Sequence, residues 1–140
     1  MGNRAVITKN MDGIGIYLHW NGGRDSVEAF LEYCKRRKFR TDDDYGMARL
    51  TQVIANYFGG DLSIGIDLCR NLDCDNWDNG VYIIDDQFNI VDRLFFEGNE
   101  QRQYDLEEMI RDIDKAQPEN DRLYKETVTA AASSDEELPF

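Results

Sequence analysis

The side chains that could support nucleophilic catalysis are few in this sequence. His19 is the only histidine, so a serine or cysteine nucleophile activated by an imidazole would have to use it. Cys34 lies on the apolar stripe of a predicted helix, where a reactive thiolate is not expected, and Ser26 fits the start of that helix better than a site. We therefore predict no catalytic residue and a protein that is not an enzyme.

A polar loop from Asp73 to Gly80 concentrates carboxylates and amides, which are ligands for hard cations. The loop departs from the EF-hand pattern because Trp77 would occupy a ligand position and Asp86 would replace the closing glutamate. The alternative is a turn-rich loop in which Asn and Asp form local hydrogen bonds. We predict no metal and no cofactor. The weak candidate ligands are Asp73, Asp75 and Asp78.

The densest polar and aromatic segment, His-Trp-Asn-Gly-Gly-Arg-Asp, runs from His19 to Asp25. A histidine and a tryptophan at a strand end, followed by an arginine near a helix N-terminus, could hold an anion or a nucleotide base. The candidate ligand-binding residues are His19, Trp20 and Arg24. The alternative is a structural corner, with Trp20 in the core and glycines at positive φ. The segment resembles a His-Trp-Asp/Asn-Gly segment of uncharacterised phage and integrative-element proteins, which implies a mobile-element origin.

The last residues of the chain, 133–140, form an acidic cluster followed by Leu-Pro-Phe. Proline cannot continue a helix, so this end is expected to be stiff and accessible to a partner. A C-terminal phenylalanine offers a ring for an apolar pocket and a carboxylate for a basic or backbone-amide clamp. The acids before it would follow a Lys/Arg ridge, with an affinity that falls as salt rises.

Residues 134–140 resemble the C-terminal tip of bacterial single-stranded-DNA-binding proteins, which end in an acidic run and Leu-Pro-Phe or Ile-Pro-Phe. In that family the tip docks on replication, recombination and repair proteins and does not bind DNA. The resemblance implies a partner-binding role for the tip and covers no other part of the chain. The residues concerned are Asp135, Glu136, Glu137, Leu138, Pro139 and Phe140. The alternative is a solvated acidic tail that happens to end in phenylalanine.

The chain is acidic, with a formal net charge of −12 over 140 residues. Residues 1–41 hold eight Lys/Arg and four Asp/Glu, whereas residues 42–140 hold eight and twenty-four. Nucleic-acid phosphates would repel such a chain, so we expect a basic protein partner and no direct nucleic-acid binding. No apolar run reaches the length of a membrane span or a signal peptide, and three cysteines suit a reducing compartment. We therefore expect a cytoplasmic protein without membrane contact.

Short apolar runs separated by turn signals predict the elements that position these residues. Residues 4–8 and 14–20 predict a hairpin that turns at Asp12-Gly13, and Gly15 indicates a bulge or a close neighbour. The spacing predicts a helix from Asp25, with Glu28 as its capping-box partner. A second helix follows the acidic residues 42–44 and ends at Gly59-Gly60.

Alternating apolar residues over 62–68 predict a half-buried strand, and residues 81–84 and 88–91 predict another hairpin. The last helix is predicted from about Asp105 to Lys115, with Glu108 completing a second capping box. The order β-β-α-α-β-β-β-α predicts one α+β domain over residues 1–117, with about five strands in a mainly antiparallel sheet and about three helices on one face. Residues 118–140 are predicted to be a flexible spacer and an acidic recognition tail.

Together these features predict a non-enzymatic phage or mobile-element protein that acts inside the bacterial cell. Its partners would be DNA replication or repair proteins, which its tip would recruit, or a defence nuclease. The acidic body would inhibit such a nuclease as an anti-CRISPR or anti-restriction protein does, with carboxylates in place of DNA phosphates. The alternative is a small-molecule or nucleotide binder, or a metal-dependent protein, that uses the His19–Arg24 segment and the Asp73–Asp78 loop.

Overall fold

A computed structural model describes residues 2–125 of the chain. These residues form three helices and a five-stranded sheet, in the order that the sequence predicts, and the α+β class is confirmed. The strands are β1 (Ala5–Thr8), β2 (Ile14–Leu18), β3 (Ile64–Leu68), β4 (Val81–Ile84) and β5 (Ile90–Leu94). The helices are α1 (Arg24–Arg36), α2 (Asp44–Phe58) and α3 (Leu106–Lys115).

The strand order across the sheet is β3-β2-β1-β4-β5. The β1–β2, β2–β3 and β4–β5 pairs are antiparallel, and β1 and β4 are parallel. The sheet is therefore mixed, and mainly antiparallel as predicted. The β1–β2 hairpin turns where the Gly13 amide donates to the Asn10 carbonyl at 2.9 Å, which confirms the predicted turn.

The main core lies between the helices and one face of the sheet. It joins strand residues such as Ile7 and Ile16 to helix residues such as Phe30, Ile54 and Ile110, all of which are at most 1% exposed. Each large apolar side chain contributes about 2 kcal/mol when it is fully buried. This layer is what holds the loops at the ends of the strands in place.

The opposite face of the sheet is covered by the loop between β3 and β4 instead of by a helix. Val6, Cys69 and Val81 form a small buried cluster there, and Leu72 packs against it. A Cβ atom on Gly15 would lie 2.9 Å from the Cys69 sulfur, so β2 needs a glycine at this position. The close neighbour predicted for Gly15 is therefore this loop.

Two predicted helix caps are present in the structure. The Asp43 side chain accepts from the Gly46 amide at the start of α2, and the Asp105 side chain accepts from the Glu108 amide at the start of α3. Gly59 ends α2 in the left-handed conformation, with φ of 66°. These local signals placed both helices correctly.

The predicted capping box of Asp25 and Glu28 is wrong. The N-cap of α1 is Gly23, which makes no side-chain cap. Asp25 Oδ2 instead accepts from the main-chain amides of Gln103 at 2.5 Å and Tyr104 at 2.9 Å. The Asp25 carboxylate therefore serves as the acceptor for two amides of the segment before α3. These hydrogen bonds, distant in sequence, take the place of the predicted cap on α1.

Three apolar residues differ from the strand predictions. β3 begins at Ile64 instead of the predicted residue 62, and Leu62, which precedes it, is 100% exposed. Ile66 lies on this edge strand and is 57% exposed. Phe88, predicted as a strand residue, lies in the turn before β5 with φ of 60°. Its side chain is nevertheless fully buried in the main core, because the turn aims the ring inward.

The folded body continues past residue 117. The Asp114 carboxylate accepts from the amides of Leu123 at 2.6 Å and Tyr124 at 2.9 Å, and from the Tyr33 hydroxyl at 2.5 Å. Leu123 also packs against the main core. The folded body therefore includes residues 118–124. Most of the predicted spacer and the whole predicted partner-binding tip lie outside the described residues.

Candidate functional site

Trp77 is 91% exposed, more than any other aromatic side chain in residues 2–125. It lies in the loop between β3 and β4, and its φ of 66° is in the left-handed region. Phe95, directly after β5, is 52% exposed and has φ of 57°. Both side chains line one cavity of 630 Å³. Bulky residues rarely adopt this conformation, which costs about 1–3 kcal/mol each.

Asn76 organises the loop that carries Trp77. Its side chain is fully buried, and its Oδ1 accepts from the amides of Asp78 at 3.1 Å and Gly80 at 3.0 Å. Its Nδ2 donates to the carbonyls of Asp73 at 3.0 Å and Gly80 at 3.2 Å. The local hydrogen bonds expected of Asn and Asp in such a loop are thus made, and they fix the backbone on both sides of Trp77.

Arg93 of β5 joins this loop to the segment that carries Phe95. Its guanidinium lies between two rings, 3.9 Å from the centroid of Tyr82 and 4.0 Å from that of Phe96. Its Nη2 donates to the Asn79 carbonyl at 2.8 Å, and its Nη1 donates to the Glu100 carboxylate. A planar, permanently charged group can make these stacking and hydrogen-bonding contacts together. Arg93 therefore sets the relative position of the two loops.

Asn3 and Arg4, near the start of the chain, form hydrogen bonds to the loop that carries Trp77 and to the segment after β5. Arg4 donates to the Asp78 carboxylate through Nε at 2.8 Å and through its main-chain amide at 3.0 Å. Asn3 Oδ1 accepts from Asn79 Nδ2 at 2.6 Å and from Gln101 Nε2 at 2.9 Å. These contacts connect the segment before β1 to both loops. We refer to this hydrogen-bonded set of residues as the frame of the two aromatic side chains.

The cavity beside Trp77 carries negative charge. Its described lining residues include the carboxylates of Asp75, Asp78 and Glu97 and no lysine or arginine. Partial burial raises the pKa of Asp78, but the hydrogen bonds from Arg4 outweigh that effect and hold it below its usual range. Asp75 and Glu97 are exposed. We define Trp77, Phe95, Asp75 and Glu97 as the Trp77 surface.

Two of the three weak metal candidates lie beside an arginine. Asp78 is bonded to Arg4, and Asp73 Oδ2 lies 3.7 Å from Arg4 Nη1, whereas Asp75 belongs to the Trp77 surface. An arginine beside two of the carboxylates competes with a cation for them. Within residues 2–125, no three His, Cys, Asp or Glu side chains are grouped as a metal ion would require.

The structure does not bring Arg24 together with His19 and Trp20. His19 packs edge-on against Trp20 with 4.6 Å between ring centroids, and both line a cavity beside the start of β3. Arg24 lines a different cavity and is paired with Glu28 at 2.9 Å and Glu100 at 3.2 Å. An arginine held by two carboxylates is poorly placed to bind an anion.

The segment after β2 forms a corner, as one interpretation of the sequence expects. The expected burial of Trp20 is wrong, because its side chain is 38% exposed and belongs to neither core cluster. The positive φ angle at this corner, 55°, is that of Asn21 instead of a glycine. Asn is one of the few non-glycine residues that tolerate this conformation.

Cys34 lies inside the main core and is 0% exposed. Burial raises the pKa of its thiol to about 12. The thiolate, which is the nucleophilic form, is therefore scarce at neutral pH. This position suits packing and not chemistry.

Sequence reasoning missed the Trp77 surface and the role of Arg93. One signal was available, because Trp77 has no apolar residue within two positions on either side. An aromatic residue without apolar neighbours at strand or helix spacing is a candidate for exposure. Arg93 carries no local signal, since its partners Tyr82 and Asn79 lie on other segments.

Comparisons of the chain with protein-family models, with curated proteins and with solved structures gave no match. Among the described residues, no helix combines the length and the apolar character that crossing a membrane requires. Any functional conclusion therefore depends on the chemistry of the surface itself.

Proposed function

We propose that this chain is a non-enzymatic protein that binds a basic surface on a partner protein of bacterial DNA processing or DNA-targeting defence. The observation that carries the proposal is the Trp77 surface, where two exposed aromatic side chains stand among carboxylates. The chain would act in the bacterial cytoplasm. The His19–Asp25 segment resembles a segment of uncharacterised phage and integrative-element proteins, and this resemblance supports a phage or mobile-element origin.

The exposure of Trp77 and Phe95 is difficult to explain by folding alone. Neither side chain is buried in a core, and both occupy backbone conformations that cost free energy. Strain of this kind is retained mainly at functional sites, and Trp is among the residues most enriched at binding hot spots. An aromatic patch with a polar rim, held on a rigid frame, is the usual arrangement of such a hot spot.

The distribution of charge supports a basic partner. Arg36 of the basic segment 35–40 is paired with Glu32 and Glu107, and Arg40 is paired with Asp43. Much of the positive charge is thus neutralised within the molecule, while the chain keeps a formal net charge of −12. Complementary charge raises the association rate and excludes acidic partners.

The proposed function has two forms, which differ in whether binding recruits the partner protein or inhibits it. A recruiter would use the tip over residues 135–140, as its resemblance to the single-stranded-DNA-binding tip implies, to bring replication or repair proteins to the element. An inhibitor would use the acidic body to occupy the DNA-binding surface of a nuclease, as an anti-CRISPR protein does. The Trp77 surface would supply apolar contact area in either form.

The test is capture of partners from bacterial lysate, followed by measurement of affinity with the purified partner. The variants are Trp77→Ala with Phe95→Ala, and a chain without Phe140. Tyr45→Ala is the matched control, because Tyr45 is an exposed aromatic residue of α2, on the helical side of the sheet. We expect a DNA-processing or defence protein whose Kd rises at least tenfold with the double substitution and is unchanged with Tyr45→Ala.

The two forms give different results in this experiment. Loss of capture without Phe140, together with competition by a peptide of residues 133–140, would indicate a recruiter. Equal capture with and without Phe140, together with inhibition of a nuclease, would indicate an inhibitor. Capture that is insensitive to the Trp77 and Phe95 substitutions, or a partner unrelated to DNA, would refute the proposal.

A further inference from the structure

Among residues 2–125, β3 pairs only with β2, so one side of β3 offers unpaired backbone groups at an edge of the sheet. The Cys69 amide donates to the Gly13 carbonyl at 3.0 Å, which directs the odd-numbered residues of this segment toward β2. Hydrogen bonding in an antiparallel pair alternates along the strand. The N–H and C=O groups of Ile64 and Ile66 therefore point to the free edge.

An apolar groove of 560 Å³ lies beside this edge, between β2, β3 and the first half of α2. Ile14 and Ile66 line it and are 58% and 57% exposed, and Met47 lines it from the helix. Side chains alternate between the faces of a sheet. A strand added to β3 would therefore place every second side chain beside Ile66, over this groove.

The two edges of the sheet are protected to different degrees. β5 carries Asp92 and Arg93 at its centre, and its pairing with β4 is irregular at Ile83/Ile84. Charges and irregularities of this kind prevent edge strands from pairing with other chains. β3 contains a single charged residue, Asp67, beside two exposed isoleucines of the groove. An edge of this kind is a site for strand addition.

The charges around β3 indicate what would bind there. Lys9 is the one cation among the described residues that line the groove, and its ammonium group is paired with Asp86 at 3.1 Å. Arg70 lies just beyond the end of the strand. Asp44 lines the groove, Asp12 lies in the adjoining hairpin turn, Asp67 lies on β3, and Asp61 lies just before β3. The surface is thus apolar at its centre and mainly acidic at its margin, which complements a basic segment.

We propose that β3 binds an extended basic segment of a partner protein by strand addition. Apolar side chains of that segment would fill the groove beside Ile14 and Ile66, and its lysine or arginine side chains would lie on the other face beside Asp67. A second copy of this chain would bring the same carboxylates to the edge, so charge disfavours it. The proposal is independent of the Trp77 surface, whose residues lie in the loop before β4 and in the segment after β5.

The test uses the full chain and a blocked Lys-Val-Lys-Val-Lys-Val-Lys peptide as the probe. Binding is followed by NMR shifts and by amide hydrogen exchange. Ile66→Lys is the test variant, and Val91→Lys is the matched control because Val91 is 58% exposed on the other edge strand. We expect protection of the Ile64 and Ile66 amides, and an affinity at least tenfold lower for Ile66→Lys and unchanged for Val91→Lys.

Two further probes define the binding mode. A peptide with proline at its central valine cannot donate the ladder hydrogen bond and should bind weakly, and a Glu-Val peptide should not bind. Binding that is equal for both lysine variants, or absent at about 1 mM peptide, would overturn the proposal. A concentration-dependent dimer that Ile66→Lys abolishes would replace it with self-association at this edge.

Discussion

The Arg4 guanidinium and main-chain amide both donate to one oxygen of the Asp78 carboxylate, at 2.8 and 3.0 Å. This contact joins the residue directly before β1 to the loop that carries Trp77, across 74 positions of sequence. The position of Trp77 therefore depends on a pair of residues that lies outside both core clusters.

Asp78→Asn should lower the free energy of unfolding by about 1 kcal/mol at neutral pH, because it weakens a charge-assisted contact. The pKa of Asp78 lies below its ordinary value of 3.8 in the folded chain. Its contribution is therefore complete above the unfolded-state pKa and disappears as the pH falls through the folded-state pKa. Urea denaturation of both proteins from pH 6 to pH 2.5 should give curves that converge in acid, and a constant difference would contradict this account.

Trp77→Gly should increase the free energy of unfolding by about 1 kcal/mol, because glycine adopts φ of 66° without strain. The same substitution should abolish partner binding. Trp77→Ala keeps the Cβ atom, so it should lose binding without gaining stability. Thermal denaturation of the three proteins separates the two effects. A midpoint that falls for Trp77→Gly would mean that the indole ring stabilises the fold.

Gly80→Ala should destabilise the frame of the Trp77 surface by about 2 kcal/mol. A Cβ atom at this position would lie 2.1 Å from the Leu94 carbonyl oxygen, and φ is 65°. Gly98 lines the same cavity, but the nearest atoms to a Cβ there are 3.8 Å away. Gly98→Ala should therefore have little effect on the denaturation midpoint, and equal effects of both substitutions would exclude the steric explanation.

Asp114→Ala should lower the free energy of unfolding by about 3 kcal/mol, because it leaves the buried Tyr33 hydroxyl and the amides of residues 123 and 124 without their acceptor. Burial first, and then the bond to Asp114, raise the pKa of Tyr33 to about 12. Asp112→Ala, an exposed position of the same helix, is the control. Hydrogen exchange at residues 123 and 124 should accelerate in the first variant only.

The three thiols should react at different rates with a chromogenic disulfide reagent at pH 8. Cys34 and Cys69 are 0% and 1% exposed and should react only on unfolding. Cys74 is partly exposed, and since burial raises its pKa it should react slowly in the folded protein. Without denaturant, the reaction of the Cys74 thiol should be the only one observed, and Cys74→Ser should abolish it. Reaction of a second thiol in the folded protein would show that the core opens.

Local sequence signals were enough to predict the elements but not all of their contacts. Asp43 and Asp105 precede their helices and cap them, because the first turn is where their side chains find free amides. Asp25 carries the same pattern, yet its carboxylate serves two amides near residue 103. A capping-box pattern covers only four consecutive residues. It cannot predict that the amide of Gln103, 78 positions away, donates to the same carboxylate.

The candidate surfaces were harder to predict than the fold for the same reason. Alternation in β3 predicts which side chains share a face, but not that Ile66 is 57% exposed. Trp77 and Phe95 lie on separate loops, and only the stacking of Arg93 between Tyr82 and Phe96 places these loops together. No short-range pattern in the sequence encodes that pairing.

β1, near the start of the chain, lies at the centre of the sheet, between β2 and β4. Its hairpin with β2 can form in microseconds, but Val6 also pairs with Val81, about 75 positions later. Closing such a long loop is slow. During synthesis on the ribosome, the Val6 edge of the hairpin must therefore stay unpaired until β4 has emerged. A nascent chain stalled before residue 81 should bind chaperones, whereas the released 140-residue chain, which includes the core residues of α3, should not.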